Sequence, residues 1–220
     1  MKKLHLYHGS ENTIIKPEWN KGKIHNDYGR GFYCTDRKEL AGEWACKNNT
    51  DGYINSYEIE PEGLRILNIN SNEYNILNWI AILLKHREFS LESEIEILGM
   101  QFLLKYYYID VSKYDIIIGY RADDSYFSYA ERFLANTISV SMLGQAMQLG
   151  KLGTQTVIKS KKAFELLKYT GTVSASRNTY YAKYLNRDTK ARDDFRKMAA
   201  KSGDIKNQRF LSDIIREENI

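Results

Sequence analysis

The sequence predicts an α+β fold, because short strand patterns and longer helical patterns alternate irregularly along the chain. Apolar residues at every second position are typical of strands, and apolar residues three and four positions apart are typical of amphipathic helices. The two patterns do not follow each other in the regular order of a parallel βαβ fold. With 220 residues, the chain is long enough to bury a full hydrophobic core.

The first half of the chain begins with a strand pattern. Residues 4–8 alternate between apolar and polar side chains and run into a Gly-Ser turn, which predicts a strand that ends there. Asp36 is a suitable N-cap for a helix predicted through Ala45, and a longer helical pattern begins at Glu73. Further strands are predicted at residues 31–35, 53–59 and 64–69, and a polar, glycine-rich loop at residues 20–31.

The second half continues with helices around buried strands. Helices are predicted at residues 92–105, within 126–149 and at 162–169, and strands at residues 114–119 and 155–159. Beyond Gly171 the chain becomes rich in lysine and arginine and poor in apolar residues, which predicts helical segments outside the main core. We therefore assign residues 1–170 to one domain and residues 171–220 to a basic, helical C-terminal extension.

Composition narrows the functional class. Cys34 and Cys46 match no zinc-binding spacing, so we expect no metal site. No stretch approaches the ~18 consecutive apolar residues of a membrane-spanning helix, and no signal-peptide pattern is present. These features predict a cytoplasmic protein with reduced thiols and no membrane contact. The net charge of +4 lies in residues 171–220, which favours an acidic or nucleic-acid partner or a solvated helix face.

Three short segments stand out for their chemistry. Tyr-His-Gly-Ser at residues 7–10 ends the first strand, Tyr-Gly-Arg-Gly-Phe-Tyr at residues 28–33 leads into the second, and Trp44 lies on the following helix. Taken singly, a histidine before a glycine turn, glycines beside a tyrosine and an aromatic residue on a helix are typical of structural positions. Their combination and order favour a binding site.

In this order the segments resemble the catalytic domain of the poly(ADP-ribose) polymerases and diphtheria toxin, in which such strands build the NAD⁺ site. The chain resembles more closely a family of small bacterial proteins of unassigned function. That family's landmarks appear here at residues 7–10, 27–35, 41–45 and 122–124 and at Gln155, with Tyr28 where the family often has phenylalanine. The resemblance covers about residues 4–170 and implies an ADP-ribosyltransferase-like split β-sheet core with flanking helices.

The resemblance also implies a role for each residue of the site, with NAD⁺ as co-substrate. His8 would hydrogen-bond a ribose hydroxyl, and the backbone of Gly9 would approach the nicotinamide carboxamide closely because glycine has no side chain. Tyr33 would stack on the nicotinamide and Trp44 would close its other face, where the positive charge of the ring adds a cation–π contribution. Ser10 and Gly31 complete the predicted binding segments.

The chain departs from the polymerases and toxins at the third catalytic element. Where they carry a glutamate at the start of a late strand, this sequence has Gln155. A carboxylate offsets the positive charge that develops on the ribose, whereas an amide supplies only a dipole. Asp123 and Asp124 would restore the charge if their loop lies over the site. Without the resemblance, Gln155 is a polar residue that begins a strand, and the two aspartates are a turn or helix-cap feature.

Together these features predict an NAD⁺-dependent mono-ADP-ribosyltransferase with a His-Tyr-Gln type of site. Relatives of the resembled family often lie beside a small partner gene. That arrangement implies the toxin of a bacterial toxin–antitoxin pair, in which a small helical antitoxin meets the basic tail and blocks the site. The acceptor of ADP-ribose would be a macromolecule, either protein or nucleic acid. The missing glutamate leaves two alternatives, namely a catalytically silent NAD⁺- or ADP-ribose-binding module and an NAD⁺ glycohydrolase.

Overall fold

Seven strands and eight α-helices are present in the computed structural model, which describes residues 2–122, 124–149, 153–201 and 208–218. The strands form one mixed sheet and the helices pack around it, so the fold is of the α+β class that the sequence predicts. The strands are β1 (Leu4–Ser10), β2 (Phe32–Thr35), β3 (Gly52–Ile59), β4 (Ile66–Asn68), β5 (Ile116–Gly119), β6 (Gln155–Ile158) and β7 (Lys168–Ala175). The helices are α1 (Lys38–Ala45), α2 (Ile76–His86), α3 (Glu94–Tyr106), α4 (Asp124–Leu134), α5 (Val140–Ala146), α6 (Lys161–Leu166), α7 (Arg177–Lys201) and α8 (Leu211–Glu218).

The sheet has a gap between two of its inner strands. Its strand order is β4-β5-β6-β2-β1-β3-β7, with β4 and β5 parallel and the other described pairs antiparallel. β1 pairs with β3 along its whole length, whereas the register between β1 and β2 consists of the pair Tyr7 with Thr35. The ladder between β1 and β2 therefore ends just before His8.

The strands that border this gap are held by the hydrophobic core. The larger core cluster includes Trp79 of α2, Phe133 of α4 and Ile117 of β5, all fully buried. A second cluster joins β1 to β3 through Leu6 and Tyr57. Because a fully buried large apolar side chain contributes roughly 1.5–3 kcal/mol, these clusters hold the strands at fixed positions on both sides of the gap.

Two helices begin later than the sequence predicts. α1 has Arg37 as its N-cap, without a side-chain cap, rather than Asp36. The hydroxyl of Thr35 accepts a hydrogen bond from the backbone N–H of Arg37 at 3.2 Å, and this local turn delays the start of the helix. α2, predicted from Glu73, begins after Asn75, whose side chain forms one half of a capping box.

β7 is the main difference from the predicted elements. The sequence predicts a helix to residue 169 and helical segments beyond Gly171, whereas this stretch pairs with β3 at the edge of the sheet. The register shifts between Ser56 and Tyr57, where a bulge accommodates one extra residue. As an edge strand, β7 carries polar residues and is only partly buried, which obscures the apolar alternation by which strands are recognised.

The C-terminal helices pack against the rest of the protein. α7 contacts α1 and α4, and α8 contacts α3. Phe195 of α7 and Leu211 and Ile214 of α8 are buried in the larger core cluster. The boundary predicted between residues 170 and 171 falls inside β7. The C-terminal extension, which was predicted to lie outside the main core, contributes buried residues to it.

Candidate functional site

A cavity of about 780 Å³ opens where the ladder between β1 and β2 ends. Its size lies in the ~300–1,000 Å³ range of small-molecule sites. Its walls come from the ends of β1 and β2, from α1 and β6, and from the loop at residues 11–31. The residues singled out in the sequence that line it are His8, Gly9, Ser10, Gly31, Tyr33, Trp44 and Gln155.

His8 spans the gap between the two strands. Its Nδ1 donates to the backbone carbonyl of Tyr33 at 2.7 Å, and its ring centroid lies 4.3 Å from that of Phe32. Burial lowers the pKa of His8 below its ordinary value of 6.5, so the ring is neutral at pH 7. Because a carbonyl oxygen can only accept, the proton resides on Nδ1 and Nε2 carries a lone pair. His8 therefore offers a fixed hydrogen-bond acceptor.

Tyr33 lines the cavity with its hydroxyl group fixed in place. Its Oη accepts from the backbone N–H of Tyr28 at 3.1 Å and donates to the carbonyl of Gly29. Gly29 adopts φ 72°, in the left-handed region that favours glycine. Burial, together with the negative charge of Asp27, raises the pKa of Tyr33 well above its usual range. The phenol stays neutral, so its ring acts as a wall of the cavity rather than as an acid or a base.

Close packing requires glycine at the positions that flank these side chains. A Cβ atom on Gly9 would lie 1.9 Å from the carbonyl oxygen of Ala41, so α1 packs directly on the end of β1. A Cβ atom on Gly31 would lie 2.5 Å from a methyl carbon of Val157 on β6. Ser10 accepts a hydrogen bond from Asn55 at 2.9 Å through its hydroxyl oxygen. These contacts set the shape of the cavity floor.

Trp44 closes the side of the cavity formed by α1. The guanidinium carbon of Arg121 lies 4.1 Å from the centroid of its ring system, a cation–π geometry that covers one face of the indole. Its Nε1 is buried and has no hydrogen-bond partner among the residues that the structure describes. A buried donor without a partner is unfavourable, and a ligand in the cavity is one means of satisfying it.

Gln155, at the start of β6, is almost fully buried and contacts an acidic residue. Its Nε2 donates to Oδ2 of Asp27 at 2.9 Å and to the carbonyl of Tyr120 at 3.0 Å. The same Asp27 oxygen accepts from the backbone N–H of Ala122 at 2.9 Å, and Oδ1 lies 3.5 Å from Nη1 of Arg87. Burial raises the pKa of Asp27 against the opposing effect of these donors. The cavity wall therefore contains a carboxylate beside Gln155.

The loop at residues 11–31 is anchored over the cavity by long-range bonds. Trp19 Nε1 donates to the carbonyl of Lys159 at 3.1 Å, and Lys159 Nζ donates to the carbonyl of Tyr28 at 2.7 Å. Burial lowers the pKa of Lys159 to about 8. These bonds connect the loop to the end of β6.

Among the residues that the structure describes, basic side chains outnumber acidic ones around the cavity. The basic side chains that line it are Lys16, Lys21, Lys23, Lys47, Arg87 and Arg121, and the acidic ones are Glu18 and Asp27. Lys21 and Glu18 form an ion pair with each other on the exposed loop. The remaining excess of positive charge favours an anionic ligand.

The sequence profile of one protein family matches residues 4–169, a range that includes every segment lining the cavity. The family is described as a protein of unknown function (DUF3990). This chain belongs to the DUF3990 family. No curated protein and no solved structure matches the DUF3990 chain.

The structure of the DUF3990 chain does not describe the side chains of the two predicted acidic residues. Asp123 lies outside the described residues. Asp124 is the first residue of α4, and its side chain lies outside the described part. Both therefore stay predictions. Ala122, which precedes them, is buried and lines the cavity.

Sequence reasoning missed three charged residues of the DUF3990 cavity, namely Asp27, Arg87 and Arg121. Asp27 is the first residue of the landmark segment at residues 27–35, so its position near the glycines and Tyr33 could have identified it as a candidate site residue. The arginines lie after α2 and after β5, where local patterns suggest only loop residues. Their convergence on one carboxylate depends on the fold.

Other kinds of site receive no support from the described part of the DUF3990 chain. Its described residues contain no group of three or more His, Cys, Asp or Glu side chains that could hold a metal ion. Cys34 and Cys46 are free and buried, and burial raises the pKa of the Cys34 thiol, which makes it a poor nucleophile. No described helix is long and apolar enough to cross a membrane.

Proposed function

We propose that this DUF3990 protein is an NAD⁺-dependent mono-ADP-ribosyltransferase with an ADP-ribosyltransferase-like split sheet, and that NAD⁺ binds in the cavity beside His8 and Tyr33. The observation that carries the proposal is the 2.7 Å hydrogen bond from His8 Nδ1 to the Tyr33 carbonyl across the gap between β1 and β2. It holds the imidazole with Nε2 as an acceptor, beside a cavity of suitable size for a nucleotide.

The cavity offers groups complementary to the nicotinamide, the ribose and the diphosphate of NAD⁺. His8 Nε2 accepts a hydrogen bond from a ribose hydroxyl, and the ring of Tyr33 stacks on the nicotinamide. Trp44 has one face covered by Arg121 and presents its remaining surface to the ligand. The basic side chains along the cavity, Arg87 among them, pair with the diphosphate through charge-assisted hydrogen bonds.

The proposed transfer breaks the bond between ribose C1′ and the nicotinamide nitrogen. The electron pair leaves with nicotinamide, which becomes neutral, and positive charge develops on the ribose. A lone pair of the acceptor then bonds to C1′, and the proton that the acceptor loses passes to solvent. Groups oriented before the reaction stabilise this charge without reorganisation. A neutral His8 suits this chemistry, because it adds no positive charge beside the ribose.

We further propose that the protein is the toxin of a cytoplasmic bacterial toxin–antitoxin pair, and that a small antitoxin covers the mouth of the cavity. Lys16 and Lys23 line the cavity from the loop at residues 11–31, and their charge favours an acidic partner there. On α7, by contrast, Lys183 and Arg187 already pair with Glu39 and Glu43 of α1. The mouth of the cavity is therefore a better docking place for an antitoxin than the basic tail.

Calorimetric titration with NAD⁺ tests the binding site. We expect the wild type to bind NAD⁺, and we expect His8→Ala to weaken binding at least about tenfold, which corresponds to 1.4 kcal/mol. His5→Ala is the matched control, since His5 lies on the same strand but is exposed and contacts Glu58. Absence of NAD⁺ binding to the wild type would contradict the proposed site.

Incubation with radiolabelled NAD⁺ and bacterial lysate tests the reaction. Label that becomes attached to macromolecules supports the transferase, and digestion with protease or nuclease identifies the acceptor class. Release of free ADP-ribose without attachment indicates the glycohydrolase instead. Intact NAD⁺ after prolonged incubation with a protein that binds it indicates the silent binding module.

A further inference from the structure

The carboxylate of Asp27 lies in the wall of the same cavity as His8 and Tyr33, and only 6% of the residue is exposed. One oxygen, Oδ2, accepts two hydrogen bonds of 2.9 Å, from the Ala122 backbone and from Gln155. Within the described chain, the contact of Oδ1 is with Arg87 at 3.5 Å, which is long for a hydrogen bond. The carboxylate is thus oriented through one oxygen, while the other can still accept from a ligand.

The side-chain amide of Gln155 holds this carboxylate in place. Both protons of its amide are used, one by Asp27 and one by the carbonyl of Tyr120. The orientation of the amide follows from chemistry, because the carbonyl oxygen can only accept and must face the NH₂ group. The residue that stands where the resembled enzymes have a glutamate is therefore a donor to an acid that comes from another part of the chain.

Arg87 lies 3.5 Å from Asp27 and offsets part of its charge, but the contacts with Ala122 and Gln155 require only an acceptor oxygen. Burying an ionised carboxylate is unfavourable, and here burial raises the pKa of Asp27 despite three nearby donors. An asparagine would offer an oxygen to Ala122 without that cost. A buried carboxyl group whose pKa is raised is typical of functional sites, and Asp27 lines the same cavity as His8 and Tyr33.

We propose that Asp27 is the carboxylate that stabilises the positively charged ribose during ADP-ribosyl transfer, and that Gln155 is the residue that positions it. This inference rests on the proposed function. As the C1′–N bond breaks and its electron pair leaves with nicotinamide, the positive charge on the ribose faces Asp27 and itself favours the ionised form of this carboxyl group. The carboxylate forms no covalent bond and takes up no proton. The acceptor bonds to C1′ and its proton passes to solvent.

Asp27→Asn tests the catalytic role, with cleavage of NAD⁺, NAD⁺ affinity and thermal unfolding measured on the same preparations. We expect turnover at saturating NAD⁺ to fall by about 10²–10³-fold, the usual effect of removing one preorganised electrostatic group. We expect NAD⁺ affinity to change by less than about fivefold, because the charge matters mainly in the transition state. We expect the melting temperature not to fall.

Glu60→Gln is the matched control for net charge. It removes the same charge from an exposed residue after β3 whose side chain lies 3.9 Å from Lys168, away from the lining of the cavity. Its turnover should equal that of the wild type. An equal loss in both variants would show that overall charge matters and the position of Asp27 does not, which would overturn the assignment.

Gln155→Glu and the double variant Asp27→Asn/Gln155→Glu test whether turnover depends on the negative charge itself or on the hydrogen-bonded arrangement of residues 27 and 155. In the single variant two carboxylates would lie where donor and acceptor are now 2.9 Å apart, so their repulsion should keep one of them protonated and lower turnover. The double variant carries one charge, now on residue 155, while the amide oxygen at position 27 still accepts from the Ala122 N–H. Its carboxylate faces the Tyr120 carbonyl, to which Gln155 donates in the wild type, so it should recover only part of the turnover lost in Asp27→Asn.

The outcomes distinguish the inference from the function on which it rests. If the wild type neither binds nor cleaves NAD⁺, the proposed function fails. If the wild type cleaves NAD⁺ and Asp27→Asn does so within about threefold, the function stands and the role of Asp27 is wrong. If Asp27→Asn loses its fold and its NAD⁺ binding together, and the double variant recovers neither, Asp27 is structural and the assignment is again wrong.

Discussion

Arg187 of α7 donates from Nε to Oε2 of Glu43 on α1 at 2.7 Å, and both side chains are largely buried. Glu43 directly precedes Trp44, so the pair connects the C-terminal extension to the helix that forms one wall of the cavity. The two helices also approach closely at Gly42, where a Cβ atom would lie 2.3 Å from the ring of Tyr180. The extension thus supports the candidate site.

Glu43→Gln should lower the free energy of unfolding by roughly 1.5–3 kcal/mol, because a hydrogen bond to a charged, buried partner is weakened. Glu39→Gln on the same helix is the control. Its partner is Lys183 and both side chains are about half exposed, so its loss should be at most about 1 kcal/mol. Urea denaturation of the two variants measures the difference. Equal losses in the free energy of unfolding would show that the buried pair stabilises the fold no more than the exposed pair.

A chain that ends at residue 170 should not unfold cooperatively. The cut removes most of β7 from its pairing with β3 and deletes Phe195, Leu211 and Ile214 from the core. Circular dichroism during heating, together with gel filtration, checks this expectation against a chain that ends at residue 218. A sharp transition near that of the longer chain would show that the extension is dispensable for folding.

The strands beside the cavity could be predicted because they have clear local patterns. β1 alternates before a glycine turn, and the sequence also places Gln155 at the start of β6, as found. The packing role of α7 was not readable, since its apolar residues are few. They include Tyr184, Ala191 and Phe195, which share one face only once the helix is formed.

The contact between Asp27 and Gln155 could not be predicted from local sequence patterns. Asp27 and Gln155 are 128 positions apart, and their hydrogen bond depends on the antiparallel pairing of β2 with β6, which brings Thr35 opposite Gln155. Sequence reasoning therefore sought the missing carboxylate in Asp123 and Asp124, where two acidic residues stand together.

Gly9→Ala should destabilise the fold strongly, because the added Cβ would lie 1.9 Å from the carbonyl oxygen of Ala41 and α1 would have to move. Gly144→Ala in α5 is the opposite case, since no atom of the described residues that pack around this helix lies within 4 Å of the added Cβ. It should stabilise the protein by about 0.5–1 kcal/mol through helix propensity. Melting temperatures of the two variants check this pair, and a stable Gly9→Ala variant would contradict the close packing of α1 on β1.

NAD⁺ binding should weaken as the pH falls below about 6.5, whereas a change near pH 8 belongs to Lys159, whose pKa burial lowers to about 8. The pKa of His8 is lowered by burial, so protonation, which removes the acceptor on Nε2, begins below its ordinary value of 6.5. Below pH 6.5 the unfolded chain binds this proton more readily than the folded one, so the free energy of unfolding should also fall. Titrations of the wild type and of His8→Gln at several pH values check both effects. Unchanged pH dependence in His8→Gln would assign them to another group.

Asp27→Asn should be at least as stable as the wild type at pH 7. Burial raises the folded-state pKa of Asp27 above its ordinary 3.8, so above pH 3.8 the unfolded carboxyl ionises more readily than the folded one. Ionisation therefore favours unfolding, and this cost is fully present once the pH exceeds the folded-state pKa. An asparagine cannot ionise, so the advantage of the variant should shrink as the pH falls towards 3.8. Calorimetric melting at pH 7 and pH 4.5 measures this trend. A variant less stable than the wild type at pH 7 would show that the contacts of the carboxylate, above all with Arg87, stabilise the fold, and would remove the reason for assigning its charge to catalysis.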